Sequence, residues 1–251
     1  MKFSMIALLA FLSIGFNGLA DCAGTGLNLL PSQKEIKKTS LFLLEGYAES
    51  QHVITDLNTK YPIYLKSGNE RIPLEVIETH VGQFYLTQVL LKPKAPLTPG
   101  KEYQVVIEHL PDYENFGNYN SKTNKYDPIT YLIKDSSDEG VPQWIEAPKE
   151  KDKSLVHYGC GPSIMVNFTF TVKDASDIWV LTTVKSKETG TTISYILSLS
   201  ESRVSIGHGM CAGAFTFNEG TDYEVQFSLM DSLGNKSEKA SEWIAFTKPA
   251  N

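Results

Sequence analysis

From Leu41 onward the chain is a succession of short runs rich in β-branched and aromatic residues, each closed by turn formers. This pattern limits the folds open to it more than any other feature. "SLFLLEGYA", "YPIYLKSG", "IPLEVIET", "QFYLTQVLLK", "EYQVVIEHL" and "TYLIKD" fill the first half. "SIMVNFTFTV", "DIWVLTTVKS", "TTISYILSLS", "AFTF", "DYEVQFSLMD" and "SEWIAF" fill the second. Turns such as "SGN" at 67–69 and "TPG" at 98–100 separate them. Many short strands at this spacing predict an all-β chain, a sandwich or a barrel, and two tandem Greek-key sandwiches are the form expected here. Helical periodicity is nearly absent, and the most helix-like piece, "SQKEIKKTS", is short and polar enough to read as a surface turn.

A repeat divides the chain. "PGKEYQVVI" and "EGTDYEVQF" share G-x-x-Y-x-V, with Gly100, Tyr103 and Val105 in one copy and Gly220, Tyr223 and Val225 in the other. A tyrosine at the start of a late sandwich strand can bond its hydroxyl back to upstream backbone, so each copy is expected to mark the penultimate strand of its own domain. The turn-rich "KDSSDEGVPQW" lies between the copies. It sets the expected domains at 21–138 and 139–251, with few contacts crossing between them. The charged run "PKEKDKS" at 148–154 reads as a solvated loop.

The start of the chain points to export. Lys2 precedes the apolar run "FSMIALLAFLSIGF", and Gly18 and Ala20 stand before a cleavage position ahead of Asp21, the layout of a secretory signal peptide over residues 1–20. Cys22 follows the run, but Asp21 before it is not the small residue that a lipid-attachment signal requires, so a lipid anchor at Cys22 is not expected. No later apolar run has the roughly 18 residues needed to cross a bilayer. A net charge of −6 without a basic stripe argues against a nucleic-acid partner. The expected location is secreted, periplasmic or on the cell surface.

Two short segments carry the sulfur and imidazole chemistry: "HYGC" at 157–160 and "HGMC" at 208–211. Export to an oxidising compartment and a shared domain favour a Cys160–Cys211 disulfide, with Cys22 left over at a mobile end. A second reading gathers His157, Cys160, His208 and Cys211 around zinc or copper. It requires Gly159 and Gly209 to break the strands, because residues three apart on a strand face opposite ways. Free or intermolecular thiols are a third reading.

Catalytic signatures are missing: no G-x-S-x-G, P-loop, H-E-x-x-H or dinucleotide fingerprint occurs, and no cofactor is called for. The functional candidate is instead a loop, "PDYENFGNYNSKTNKYDP" at 111–128, too long for a simple hairpin turn. It sets Tyr113, Phe116, Tyr119 and Tyr126 among Asn, Ser, Lys and Gly, the mixture that binding loops on sandwiches use. The same aromatics could instead pack back on their own domain and merely order the insertion.

The first half, through "YLKSGNERIPLEV" and "LLKPKAPLTPGKEYQVVI", resembles bacterial Ig-like modules in which L-x-P-G-x-x-Y introduces a late strand. The second, through "FNEGTDYEVQFSLMDSLGNKS", resembles a fibronectin type III or Ig-like module, with Asp231, Gly234 and Asn235 in the loop before the last strand. The resemblance implies a non-enzymatic role in binding or cell-envelope assembly, with a protein or glycan of the envelope or extracellular space as partner.

Overall fold

The computed structural model describes residues 22, 24–136, 140–174 and 176–250. The expected signal peptide at 1–20 and most of the boundary region at 137–139 lie outside them. Among the described residues no helix is long and apolar enough to cross a membrane. The chain is all-β, with one short helix among the described residues.

Among the described residues ten strands precede residue 140 and seven follow it. The first set comprises β1 (Thr25–Leu30), β2 (Glu35–Lys37), β3 (Phe42–Ala48), β4 (Ile63–Ser67), β5 (Glu70–Val81), β6 (Leu86–Pro93), β7 (Glu102–Ile107), the small pair β8 (Asn118–Asn120) and β9 (Lys125–Asp127), and β10 (Thr130–Lys134). Helix α1 (Gln51–Thr55) follows β3. Eight of these strands join in the order β1-β3-β6-β5-β4-β7-β10-β2. The long β5 is the fold line: residues 70–73 pair with β4 and residues 74–81 with β6, the second ladder carrying a bulge between Val76 and Glu78. A bulge re-aims a strand and sharpens its twist, which lets one sheet close over a single core. Phe42, Leu44, Leu65, Leu74, Leu91, Tyr103 and Tyr131 are fully buried there.

The second set comprises β11 (Gln143–Tyr158), β12 (Gly161–Lys173), β13 (Ile178–Ser186), β14 (Thr192–Ser198), β15 (Arg203–His208), β16 (Asp222–Asp231) and β17 (Ile244–Thr247). They form a sheet β11-β12-β15 and a sheet β14-β13-β16-β17. The period-2 pattern of "YEVQFSL" buries Tyr223, Val225, Phe227 and Leu229. They meet Phe168, Phe170 and Phe246 in a second core of edge-to-face rings, Phe168 lying 5.3 Å from Phe227 and 5.7 Å from Phe246.

The repeated tyrosines act as corner pins. Thr98 N donates to the Tyr103 hydroxyl at 3.4 Å, and Glu219 N to the Tyr223 hydroxyl at 3.0 Å. Two readings of polar segments are corrected. "SQKEIKKTS" contributes β2, an edge strand that runs parallel to β10. "PKEKDKS" sits inside β11, because an edge strand can hold charged side chains in water while its other side pairs with β12.

The expectation of few contacts across the boundary is also corrected. Leu41, Leu43 and Leu90 from the first half and Trp179, Ile196 and Met230 from the second form a third buried cluster. Beside it, Gln88 is fully buried and its amide acts as a substitute peptide group for edge strand β14. Ile196 N donates to Gln88 Oε1 at 2.8 Å, and Gln88 Nε2 donates to Ile196 O at 3.1 Å. Farther along, Phe84 in the β5–β6 turn exchanges backbone bonds with Gly213, and its ring sits 5.3 Å from that of His208.

The interface also holds a carboxylate. Tyr195 donates its hydroxyl to Glu45 Oε2 at 2.8 Å. Burial raises the Glu45 pKa, opposed by the bonds from Tyr195 and Gln88, and burial together with the nearby carboxylate pushes the Tyr195 hydroxyl up. With its folded pKa above its unfolded value, the Glu45 contribution is most favourable on the acid side and is lost as pH rises through the raised value. Glu45→Gln keeps an acceptor for Tyr195 and removes the charge. The stability difference between this variant and the wild type should therefore shift in the variant's favour between about pH 4.5 and neutrality, read by denaturant unfolding across pH. A constant difference over that range would contradict the assignment.

Candidate functional site

The long loop is neither disordered nor a bare excursion. Between β7 and β10 it builds its own hairpin from β8 and β9, with Asn118 opposite Asp127, Tyr119 opposite Tyr126 and Asn120 opposite Lys125. The sequence explains the local fold. Asn120 caps the turn, accepting from Lys122 N at 3.0 Å and donating to Asp127 Oδ2 at 2.8 Å, and Asn124 adopts the left-handed conformation at φ 51°. At the hairpin base Gly117 leaves room for the returning strand, since a Cβ there would lie 2.5 Å from Asp127 O.

The hairpin is fixed to the body at its root. Phe116 is half-buried and packs on the first core alongside Leu110 and Ile129. Glu114 turns inward and is buried. Ser50 Oγ donates to its Oε1 at 2.5 Å, and the same Ser50 Oγ accepts from Gly26 N at 2.7 Å. Glu114 Oε2 is buried and meets no donor among the described residues. This anchor joins the loop to the segment carrying α1. Ser50 and Glu114 are 64 residues apart, and nothing in their local sequence marks them as partners.

The four aromatic candidates therefore divide. Tyr119, Tyr126 and Tyr113 stand 59%, 46% and 51% exposed, while Phe116 belongs to the anchor. Tyr119 and Tyr126 share one face of the hairpin, with ring centroids 5.4 Å apart and planes inclined at 58°. The Tyr119 hydroxyl donates to Asn124 Oδ1 at 3.0 Å, which restricts its rotamer before any ligand arrives. The result is a narrow ridge of two pre-positioned phenol rings flanked by Asn and Lys side chains.

The cysteine pairing is corrected. Cys211 is bonded to Cys22, with Cα atoms 5.7 Å apart across 189 residues of sequence. Cys160 is half-buried at the tip of the β11–β12 hairpin and lies outside that bridge. The physical reason is the seating of Phe84 on Gly213. This contact and the pairing of β1 with β3 carry the start of the chain to the 209–213 loop.

The His₂Cys₂ arrangement is corrected by the same bond. The Cys211 sulfur is in a disulfide and is not available as a thiolate ligand. His157 is exposed on β11, whereas His208 is buried with Nδ1 2.7 Å from Gly209 O. Among the described residues no three His, Cys, Asp or Glu side chains gather as a metal site.

No family model matches the chain. No curated protein matches it in sequence. Among solved structures it aligns with the pullulanase of Anoxybacillus sp. LM18-11, in the form complexed with maltotriose and in a second structure. In each case the identity is 7% and the TM-score 0.24, over 84% of this chain and 24% of that one. The chain thus spans about a quarter of the length of those proteins, and a likeness at this level carries no argument about fold or activity.

Proposed function

We propose that the chain is an exported, non-enzymatic recognition protein of two Ig-type modules that binds a protein partner through the ridge of Tyr119 and Tyr126. The observation that carries this reading is the ridge itself: two exposed aromatics, opposite one another on a hairpin whose root is locked by Phe116 and by Glu114 on Ser50. Tyrosine offers wide contact area at low entropic cost, and a pre-ordered loop loses little more on binding.

The strand order supports the module assignment. The first half runs β1-β3-β6-β5 along one side and β4-β7-β10 along the other, the division of an Ig domain into strands ABED and CFG. In that correspondence the hairpin is the F–G loop, and the α1 segment bonded to it is the B–C loop. These two loops meet at one end of variable domains and supply binding surface there. The three-on-four split of the second half resembles fibronectin type III. The inclination of the two rings favours a protein surface over the flat face of a sugar, which stacks best on a ring lying parallel to it.

The test has two arms. Tyr119→Ala and Tyr126→Ala should each leave unfolding free energy within about 0.5 kcal/mol of wild type, because exposed side chains contribute little to folding. The double variant, still folded, should then lose the envelope or extracellular protein that the wild type retains, with a hot-spot loss of about 2 kcal/mol or more. A stability loss of several kcal/mol would show the rings to be packing elements. Retention of glycans on an array, abolished by the same variants, would change the ligand class.

A further inference from the structure

Among the described residues several sheet edges are closed in different ways, whereas a stretch of β11 is not. Strand β14 is capped by the Gln88 amide, β15 is followed by a bond from Phe215 N to Gly207 O, and β17 is only four residues long. Strand β11 is sixteen residues long and forms the outer edge of its sheet. Its first part carries the devices that discourage strand addition: register shifts at 144/146, 146/149 and 150/152, Pro148, and the charges of Lys149, Glu150, Lys151 and Asp152. Residues 153–158 have no shift and no proline, and their one full charge, Lys153, stands at the start of the stretch with its ammonium turned to Glu150 and Thr247. They pair with β12 without a shift, from Lys153 opposite Val166 to Tyr158 opposite Gly161. Val156 and Tyr158 stand 43% and 54% exposed on the outward face.

We propose that residues 153–158 form a self-association edge, pairing antiparallel with the same segment of a second copy across a twofold axis through Val156. The occupant follows from the segment's own pattern. For two sheets to merge into one, each residue must face a residue of the same side, which restricts the axis to positions on the strand. With the axis at Val156, that residue meets itself, Tyr158 meets the small Ser154, and Leu155 meets His157. The large ring opposite the small hydroxymethyl can then lie toward Met165, which pairs with Ser154 on β12. Lys153 faces only residue 159, and the charges at 149–152 project past the partner's hairpin tip.

Neighbouring registers are less favourable: an axis at Leu155 sets Lys153 against His157 and Asp152 against Tyr158, and an axis at His157 sets Leu155 against Gly159 at the hairpin tip and leaves Ser154 without a strand partner. An axis at Ser154 sets Asp152 against Val156 and Glu150 against Tyr158. An axis at Asp152 sets that carboxylate against itself and Lys151 against Lys153, and like charges directly opposite destabilise a strand pair. The charged run that blunts the rest of β11 thereby selects the register of its regular end. Both faces of the interface are those of an isologous contact, which closes at the dimer.

Six residues per copy make a small interface, so association should be weak and visible in a sedimentation series of the full chain from micromolar to millimolar concentration. Dimer should accumulate with concentration. Val156→Lys, which sets two ammonium groups on the axis, should weaken it about tenfold or more while the thermal midpoint stays near wild type. Tyr158→Lys should act in the same direction should the first variant fold poorly. Val156→Cys in a Cys160→Ser chain should form a covalent dimer under mild oxidation, and Glu146→Cys should not. A chain that remains monomeric throughout, a dimer unchanged by both lysine variants, or absence of the Val156→Cys cross-link would overturn the proposal. Tyr119→Ala should leave the dimer intact, so failure here and failure of the tyrosine ridge are separate outcomes.

Discussion

Removing the Cys22–Cys211 bridge should lower the thermal midpoint of the chain by roughly 10–20 °C. The bridge spans 189 residues, and in the chain-entropy description closing a loop of that length restricts the unfolded ensemble by about 5 kcal/mol. Cys22→Ser and Cys211→Ser should show the same loss, and reduction of the wild type should reproduce it. Cys160→Ser should fall within about 1 kcal/mol of wild type, because it alters one half-buried side chain and leaves the Cys22–Cys211 bridge in place. Calorimetry of the three variants, with and without reductant, separates the alternatives. A large loss for Cys160→Ser combined with a neutral Cys22→Ser would restore the Cys160–Cys211 pairing expected from a shared domain and export, and refute the observed one.

The second large effect belongs to Gln88. Gln88→Leu retains approximate volume and apolar contact but leaves both Ile196 N–H and Ile196 C=O buried against hydrocarbon. An unsatisfied buried backbone group costs about 1–3 kcal/mol, so the pair should cost about 3 kcal/mol. The loss should appear in the coupling between the halves, because Gln88 lies on β6 and Ile196 on β14. Trp179, buried in the shared cluster, provides the probe: its fluorescence change on denaturant unfolding should move to lower denaturant and separate from the circular dichroism transition. A single transition with an unchanged midpoint would show that the amide contributes no net coupling.

Alternation and turn chemistry are local properties, and they made the all-β class readable residue by residue. "EYQVVI" buries Tyr103, Val105 and Ile107 as its period requires, and the repeated G-x-x-Y placed both corner tyrosines before their bonds were visible. The aromatic loop was readable for the same reason, since its composition and length are written in one continuous stretch. Its division into ridge and root was not readable. Tyr119 and Phe116 differ in role because one stands on a hairpin strand and the other rests on the core, and that difference depends on Ser50, Gly26 and core residues lying elsewhere in the chain.

Sequence alone determined the strand-rich class, the placement of the corner tyrosines and the identity of the aromatic loop, because each depends on interactions between residues a few positions apart. The tertiary structure alone decided which cysteines join, where "PKEKDKS" lies and how tightly the halves hold one another. Cys22 meets Cys211 beside the place where Phe84 pairs with Gly213, and "PKEKDKS" is a strand because β12 lies beside it. Gln88 is legible as a polar residue in an apolar strand, but its two bonds require an edge strand 108 residues away. Such contacts are set by which sheet edges and surfaces meet once the cores have formed, and a local pattern carries no information about a partner that distant.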